Sequence, residues 1–139
     1  ESADFRFYQN NGTRSDGMAV RLVPRFNTNT TLISHSETGG RNGGSRFTFP
    51  TAVYVFISVS QDLEGNTDSS YWSQRLERNG TVEGYHLMRK TTQWDNMAWS
   101  QGISVAANGY LDIVWHGTGG ITSIDGNSWS HYNFLVWQQ

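Results

Sequence analysis

Ala52-Val53-Tyr54-Val55-Phe56-Ile57-Ser58-Val59-Ser60 crowds β-branched and aromatic residues together, and Pro50 stands just ahead of it. Such side chains suit a pleated, half-buried surface, and a proline that cannot donate to a ladder belongs at a strand's entry. The segment predicts a central β-strand.

Upstream, Arg46-Phe47-Thr48-Phe49 alternates cleanly and puts both phenylalanines on one face. Met18 to Val23 alternates more weakly, Thr31 to Ser34 is short, and the glycine-rich run Thr38 to Gly44 reads as a flexible loop. Downstream, a polar stretch from Gln61 to Ser70 gives way to Tyr71 to Arg78, which runs through Asn79-Gly80 into Thr81 to Glu83. Asn108-Gly109 likewise joins Gly102 to Ala107 with Tyr110 to Trp115. Asn-Gly between strand-like runs is the strongest short-range hairpin signal, because a type I′ turn needs positive φ at both central positions. Two hairpins are predicted, with further strands at Tyr85 to Arg89, Ile121 to Ile124 and Ser130 to Trp137. No window repeats apolar residues at helical spacing, so no helix is predicted.

The composition agrees. Among 139 residues there are six Trp, fifteen Gly, two Pro and no Cys, the mixture that many short strands joined by glycine turns would produce. A chain of this length suits one domain, 1–139, with residues 1–17 read as an N-terminal extension or a junction to a shaft. Charged residues are only 16% and the net charge is −2, so nothing attracts nucleic acid or anionic lipid in bulk. No apolar run is long enough for a transmembrane segment, and Glu1-Ser2-Ala3-Asp4 lacks the pattern of a signal peptide. Without cysteine there is neither a disulfide framework nor a thiolate metal site.

The block Gly44-Ser45-Arg46-Phe47-Thr48-Phe49-Pro50-Thr51-Ala52-Val53-Tyr54-Val55-Phe56 resembles the signature of the complement-type globular head, a branch of the tumour necrosis factor-like jelly-roll superfamily. The pattern is met at Phe47, Thr48, Pro50, Val53, Tyr54 and Phe56 and departs at Ala52, where the family usually has Gly. Gln74 to Gly80 is similar to the family's strand ending in a Lys-Asn-Gly turn, and Ile103 to Trp115 to its paired apolar strands. Ser130-His131-Tyr132-Asn133-Phe134-Leu135-Val136-Trp137 is similar to its terminal strand with the Gly missing. The resemblance runs in order from about Met18 to Trp137. It implies an all-β jelly-roll sandwich of about ten antiparallel strands, assembled as a homotrimer with the terminal strand near the threefold axis, and it implies binding rather than chemistry.

The residues themselves offer no catalytic site. His35, His86, His116 and His131 have no metal-motif partners, and neither a nucleophile elbow nor a paired-carboxylate setting is present. Asp62, Glu64, Asn66 and Asp68 alternate like a calcium loop, but Gly65 is misplaced and the closing Glu is missing. Gly117-Thr118-Gly119-Gly120 precedes a strand and not a helix, so no dipole awaits a phosphate. Asp95-Asn96 and Asp125-Gly126-Asn127 read as turns, and the glycosylation triplets at Asn11, Asn29 and Asn79 are ordinary in a chain rich in Asn and Thr. No enzyme, cofactor or metal is expected.

Tryptophan is more informative. Trp72, Trp94, Trp99 and Trp129 lie in or near polar segments, where an exposed indole could stack on a sugar ring. Trp115 and Trp137 end apolar strands, and with Tyr54, Phe56, Tyr132 and Phe134 they are expected in the core or the trimer interface. Phe134 to Trp137 has no polar alternation, so this strand is expected to be covered on both faces, by the core and by a neighbouring protomer. The leading reading is a trimeric head that recognises a cell-surface or extracellular partner. The absence of cysteine and of collagen-like Gly-X-Y repeats tilts its setting toward the tip of a phage tail needle or fibre, on the virion surface, over a secreted complement-like protein. The alternatives are a monomeric carbohydrate-binding module that takes a glycan, and a trimerisation cap that binds nothing.

Overall fold

A computed structural model of the chain describes residues 2–9, 17–27, 31–64, 71–89, 94–117, 123–124 and 130–139. Eleven strands and one short 3-10 turn, Arg41–Gly43, account for the regular structure among these residues. The strands are β1 (Ser2–Gln9), β2 (Leu22–Asn27), β3 (Ser34–Ser36), β4 (Arg46–Phe49), β5 (Val53–Glu64), β6 (Tyr71–Arg78), β7 (Thr81–Arg89), β8 (Trp94–Val105), β9 (Gly109–Gly117), β10 (Ser123–Ile124) and β11 (His131–Gln138). No helix among the described residues is long and apolar enough to cross a membrane.

The strands form two antiparallel sheets. In the first, β2, β1, β11, β5 and β8 lie side by side, and β10 continues the track of β11 along the far end of β5. The second has the order β3-β4-β9-β6-β7. Successive strands repeatedly change sheets, which is the winding of a jelly roll. Residues 2–9, read in the sequence as part of an extension, are instead a strand inside the first sheet, paired on one side with β11 and on the other with β2.

Period-two alternation decides what is buried. Along β5 the residues Val53, Val55, Ile57 and Val59 point inward, and β11 contributes Tyr132, Phe134 and Val136. Against them the second sheet sets Phe47, Phe49, Leu76, Leu111, Ile113 and Trp115. At the centre Phe134 lies 4.5 Å from Phe47 and 5.5 Å from Phe7 between ring centroids, edge-on to the latter. Such ring pairs add about 0.5–1.5 kcal/mol each beyond the area they bury.

One end of the sandwich is joined by polar groups. Trp99 Nε1 donates to Gln74 Oε1 at 2.7 Å, and Gln74 Nε2 donates to the Tyr132 hydroxyl. That hydroxyl donates to Gln61 Oε1, whose Nε2 donates to Ser130 Oγ at 2.8 Å. Gln61, Gln74, Ser130 and Tyr132 are fully buried, so the chain of bonds links the two sheets where an unpaired amide would be costly.

The two Asn-Gly turns differ. Asn79 (φ 51°) and Gly80 (φ 81°) both take positive φ and close the β6–β7 hairpin, as the sequence predicts. Asn108 also takes positive φ, but β8 belongs to the first sheet and β9 to the second, so this turn is a corner between sheets and not a hairpin. Asn-Gly specifies a tight reversal. It does not specify that the flanking strands pair.

Candidate functional site

Among the described residues the exposed large apolar side chains fall into two groups: Tyr54, Phe56, Leu135 and Trp137 on the first sheet, and Tyr71, Val82, Tyr85 and Leu87 on β6 and β7 of the second. The first group occupies the middle of a sheet. Because inward residues alternate with outward ones, the inward Val53, Val55 and Val136 leave Tyr54, Phe56, Leu135 and Trp137 on the opposite face of β5 and β11. Register brings them together: Trp137 pairs with Tyr54 and Leu135 with Phe56. The rings of Tyr54 and Trp137 are 6.1 Å apart. Beside them Gly102 of β8 has no side chain, and a Cβ there would fall 1.9 Å from the Tyr54 hydroxyl, so the tyrosine lies across the glycine. These four side chains are 37–43% exposed in the single chain.

The terminal strand therefore alternates after all, with Tyr132, Phe134 and Val136 in the core and Leu135 and Trp137 on the open face. Both sets of residues are apolar, which is why the sequence reads as an unbroken apolar run. Trp115, Tyr132 and Phe134 are core residues, whereas Tyr54, Phe56 and Trp137 are surface residues of this one chain. Leu135, within the apolar run Phe134 to Trp137, lies opposite Phe56 and belongs to the same patch.

Toward the other end of the same face lies a cavity of about 500 Å³, lined by Arg6, Phe56, Ser58, His131, Asn133 and Leu135. On the outside of the second sheet is a smaller one of about 300 Å³, filled by charge. There Arg46 holds Asp112 with two bonds, Nε to Oδ1 at 3.0 Å and Nη2 to Oδ2 at 2.7 Å, while its guanidinium sits 3.7 Å above the Tyr110 ring. Arg41 Nη1 donates to Glu77 Oε1 at 2.7 Å, and the Arg41 backbone N–H donates to Asp112 Oδ2. These bonds tie the glycine-rich segment to the sheet, so the part of it that reads as a flexible loop is anchored at Arg41.

Of the four tryptophans considered for sugar stacking, Trp99 is half-buried against the core, its indole stacked on His86 at 4.0 Å with its N–H bonded to Gln74. One face of that ring is taken. Trp72 and Trp94 lie on β6 and β8, but their side chains, and all of Trp129, lie outside the described residues. Asp95-Asn96 is strand and not turn, because Asn96 Nδ2 reaches across β8–β5 to Asp62 Oδ1 at 2.8 Å and Ser60 Oγ at 3.1 Å. Of the calcium-like series, Asn66 and Asp68 lie outside the described residues, as do Asn11 and Asn29 and the turn Asp125-Gly126-Asn127. Among the described residues no group of three or more metal-ligating side chains occurs. Burial lowers the pKa of His35, with Glu37 opposing the shift, and its Nε2 lies 3.0 Å from Ser45 Oγ.

Solved structures of murine APRIL are similar to this chain. The crystal structure at pH 5.0 matches with a TM-score of 0.69 and 7% identity, over 97% of this chain and 98% of that one. The structure at pH 8.5 gives 0.66 at 8% identity and that at pH 8.0 gives 0.64 at 6%, over the same shares of each chain. No protein-family model matches the chain, and no curated protein matches it in sequence. Likeness at this identity speaks for the fold, and with the sheet order above it makes the chain a tumour necrosis factor-like jelly-roll sandwich.

Proposed function

We propose that this domain is a trimeric, non-catalytic binding head, assembled through the outer face of the first sheet and recognising a cell-surface or extracellular partner. The observation that carries the reading is the cluster Tyr54, Phe56, Leu135 and Trp137 on two central strands. A lone exposed aromatic is ordinary, whereas two register pairs of large apolar residues in mid-sheet form a contiguous patch, and such patches mark interaction surfaces. The resemblance to complement-type heads, whose terminal strand lies near a threefold axis, supports three copies of this chain as the occupant. In that arrangement the second face of β11, open in one chain, is covered by a neighbour.

The finer setting we propose is the tip of a viral tail needle or fibre, on the virion surface. It rests on the missing cysteines and the absence of Gly-X-Y repeats. Heptad repeats in the sequence ahead of Glu1 would support it, and Gly-X-Y repeats would favour a complement-like protein instead. Assembly is tested by the molar mass of the domain in solution, with Trp137→Arg as the disrupting variant and Leu87→Glu, on the other sheet, as the control.

A further inference from the structure

The second sheet has an open face of its own. Along β6, Gln74 and Leu76 are buried in the core, so alternation puts Tyr71 and Arg75 on the outside. Register sets Arg75 opposite Tyr85 of β7 on one side and opposite Val114 of β9 on the other. Around it Tyr71, Val82, Tyr85 and Leu87 are 46–55% exposed, more open than any side chain of the first-sheet patch. The β7 edge beside them is closed at Glu83, whose carbonyl accepts from Gln101 Nε2 at 3.1 Å. A partner therefore has the face to lie across, and not the edge to extend.

Arg75 is the uncommitted charge of this face. The acids of β6, β7 and β9 are Glu77, Glu83 and Asp112, and each is held by another guanidinium: Glu77 by Arg41, Glu83 by Arg78 and Asp112 by Arg46. Among the described residues no carboxylate pairs with Arg75. Its Nε is buried without a hydrogen-bond partner, and its guanidinium lies 5.4 Å from the centre of the Tyr85 ring. A ring face attracts a cation but leaves its planar fork of N–H donors free for a carboxylate. Apolar neighbours that exclude water strengthen such a pair. Tyrosine and arginine are also residue types that dominate protein interfaces, whereas a glycan needs partners for its hydroxyls and Leu87 and Val82 offer none.

We propose that the outer face of β6 and β7 docks an acidic segment of a partner protein, one Asp or Glu carboxylate on Arg75 and the flanking apolar side chains on Tyr85 and Leu87. The proposal rests on the binding-head reading above and names the face that recognises: the first sheet joins the copies, and the second meets the partner. The test is selection of a displayed library of random peptides against the full chain, then anisotropy titration of the enriched peptides and of glucuronate as a competitor, with light scattering on the same samples. Enriched peptides should carry an acid beside an aromatic or aliphatic residue. Replacing that acid by its amide, or Arg75→Gln or Leu87→Glu in the domain, should weaken binding by about tenfold or more, the scale of one charge-assisted hydrogen bond. Leu87→Glu, at a fully surface position, should leave the mass unchanged and covers the case in which Arg75→Gln does not fold. Arg75→Glu should bind the same peptides once their acid is replaced by lysine. No enriched peptide, enriched peptides without an acid, or binding indifferent to both Arg75→Gln and Leu87→Glu overturns the proposal and leaves the assembly standing. Glucuronate that binds as tightly as the peptides overturns it in favour of a glycan. A monomer that binds the peptides as expected overturns the assembly and leaves this face as the docking site.

Discussion

The Tyr132 hydroxyl donates to Gln61 Oε1 at 2.7 Å, from β11 to the neighbouring β5, inside a sandwich whose core is otherwise largely apolar. The same oxygen accepts from Gln74 Nε2 at 2.5 Å, so it ties the two sheets together. Tyr132→Phe keeps the ring and removes the hydroxyl that Gln61 Oε1 accepts from and Gln74 Nε2 donates to, while the bonds of Gln74 Oε1 to Trp99 and of Gln61 Nε2 to Ser130 remain. We expect a loss of about 2 kcal/mol, read from urea unfolding, within the range for a buried polar group that loses its partner.

Tyr132 also sets an alkaline limit. Burial raises its pKa far above the ordinary phenol value, with the Gln74 hydrogen bond opposing. A raised folded pKa contributes stability that is complete below the unfolded value, near 10, and is lost as pH climbs past it. Unfolding free energy should therefore fall above about pH 10, and the fall should be smaller in Tyr132→Phe.

His35 acts on the acid side with the opposite sign. Its pKa is lowered in the folded state by burial, so the unfolded chain binds more protons as pH drops below about 6.5. Its contribution is complete above that value and is lost on acidification. His35→Phe preserves the stack on Phe47, at 5.1 Å between centroids, and removes the titration. Thermal unfolding should show the wild type losing more stability than this variant between pH 7 and pH 5.

Arg46→Leu leaves the Asp112 carboxylate, which is 3% exposed, with only the Arg41 backbone N–H among the partners described above. Breaking a fully buried pair costs about 3–5 kcal/mol. Arg46 is 31% exposed, so water can reach the site, and about 2 kcal/mol is expected from chemical denaturation.

The sequence made these sheets legible only in part. β4 appears at its observed bounds, and β5 and the β6–β7 hairpin were anticipated, because dense β-branched runs and a turn with two positive φ angles are local signals. β1 was missed. Ser2–Gln9 mixes charged and aromatic residues without a clear run, and it is strand because β11 and β2 flank it. The first half of β8 was missed for the same reason, since Asp95 and Asn96 carry turn chemistry that cross-strand bonding overrides. At the candidate site, Tyr54, Phe56 and Trp137 were marked in advance as core or interface, but only the register separates them from Phe134 and Tyr132. The cavity beside Arg6 joins three strands distant in sequence, and no local pattern announces it.

Gly102→Ala probes the open face without touching the core. The added methyl would collide with the Tyr54 hydroxyl, the far end of a side chain that can swing aside. Secondary structure by circular dichroism should be unchanged, while the concentration at which the assembly dissociates should rise by about tenfold, which for a trimer, whose dissociation constant goes as the square of concentration, is the effect of losing about 2.8 kcal/mol of contact over its three interfaces.

The most direct test of the central claim is the molar mass of the folded domain by sedimentation equilibrium at micromolar concentration, for the wild type and for Leu135→Glu with Trp137→Arg. The account predicts a wild-type mass three times that of the chain and a double variant that is folded and monomeric. A wild-type chain that is folded, stable and monomeric, with Tyr54, Phe56, Leu135 and Trp137 left in water, would contradict it.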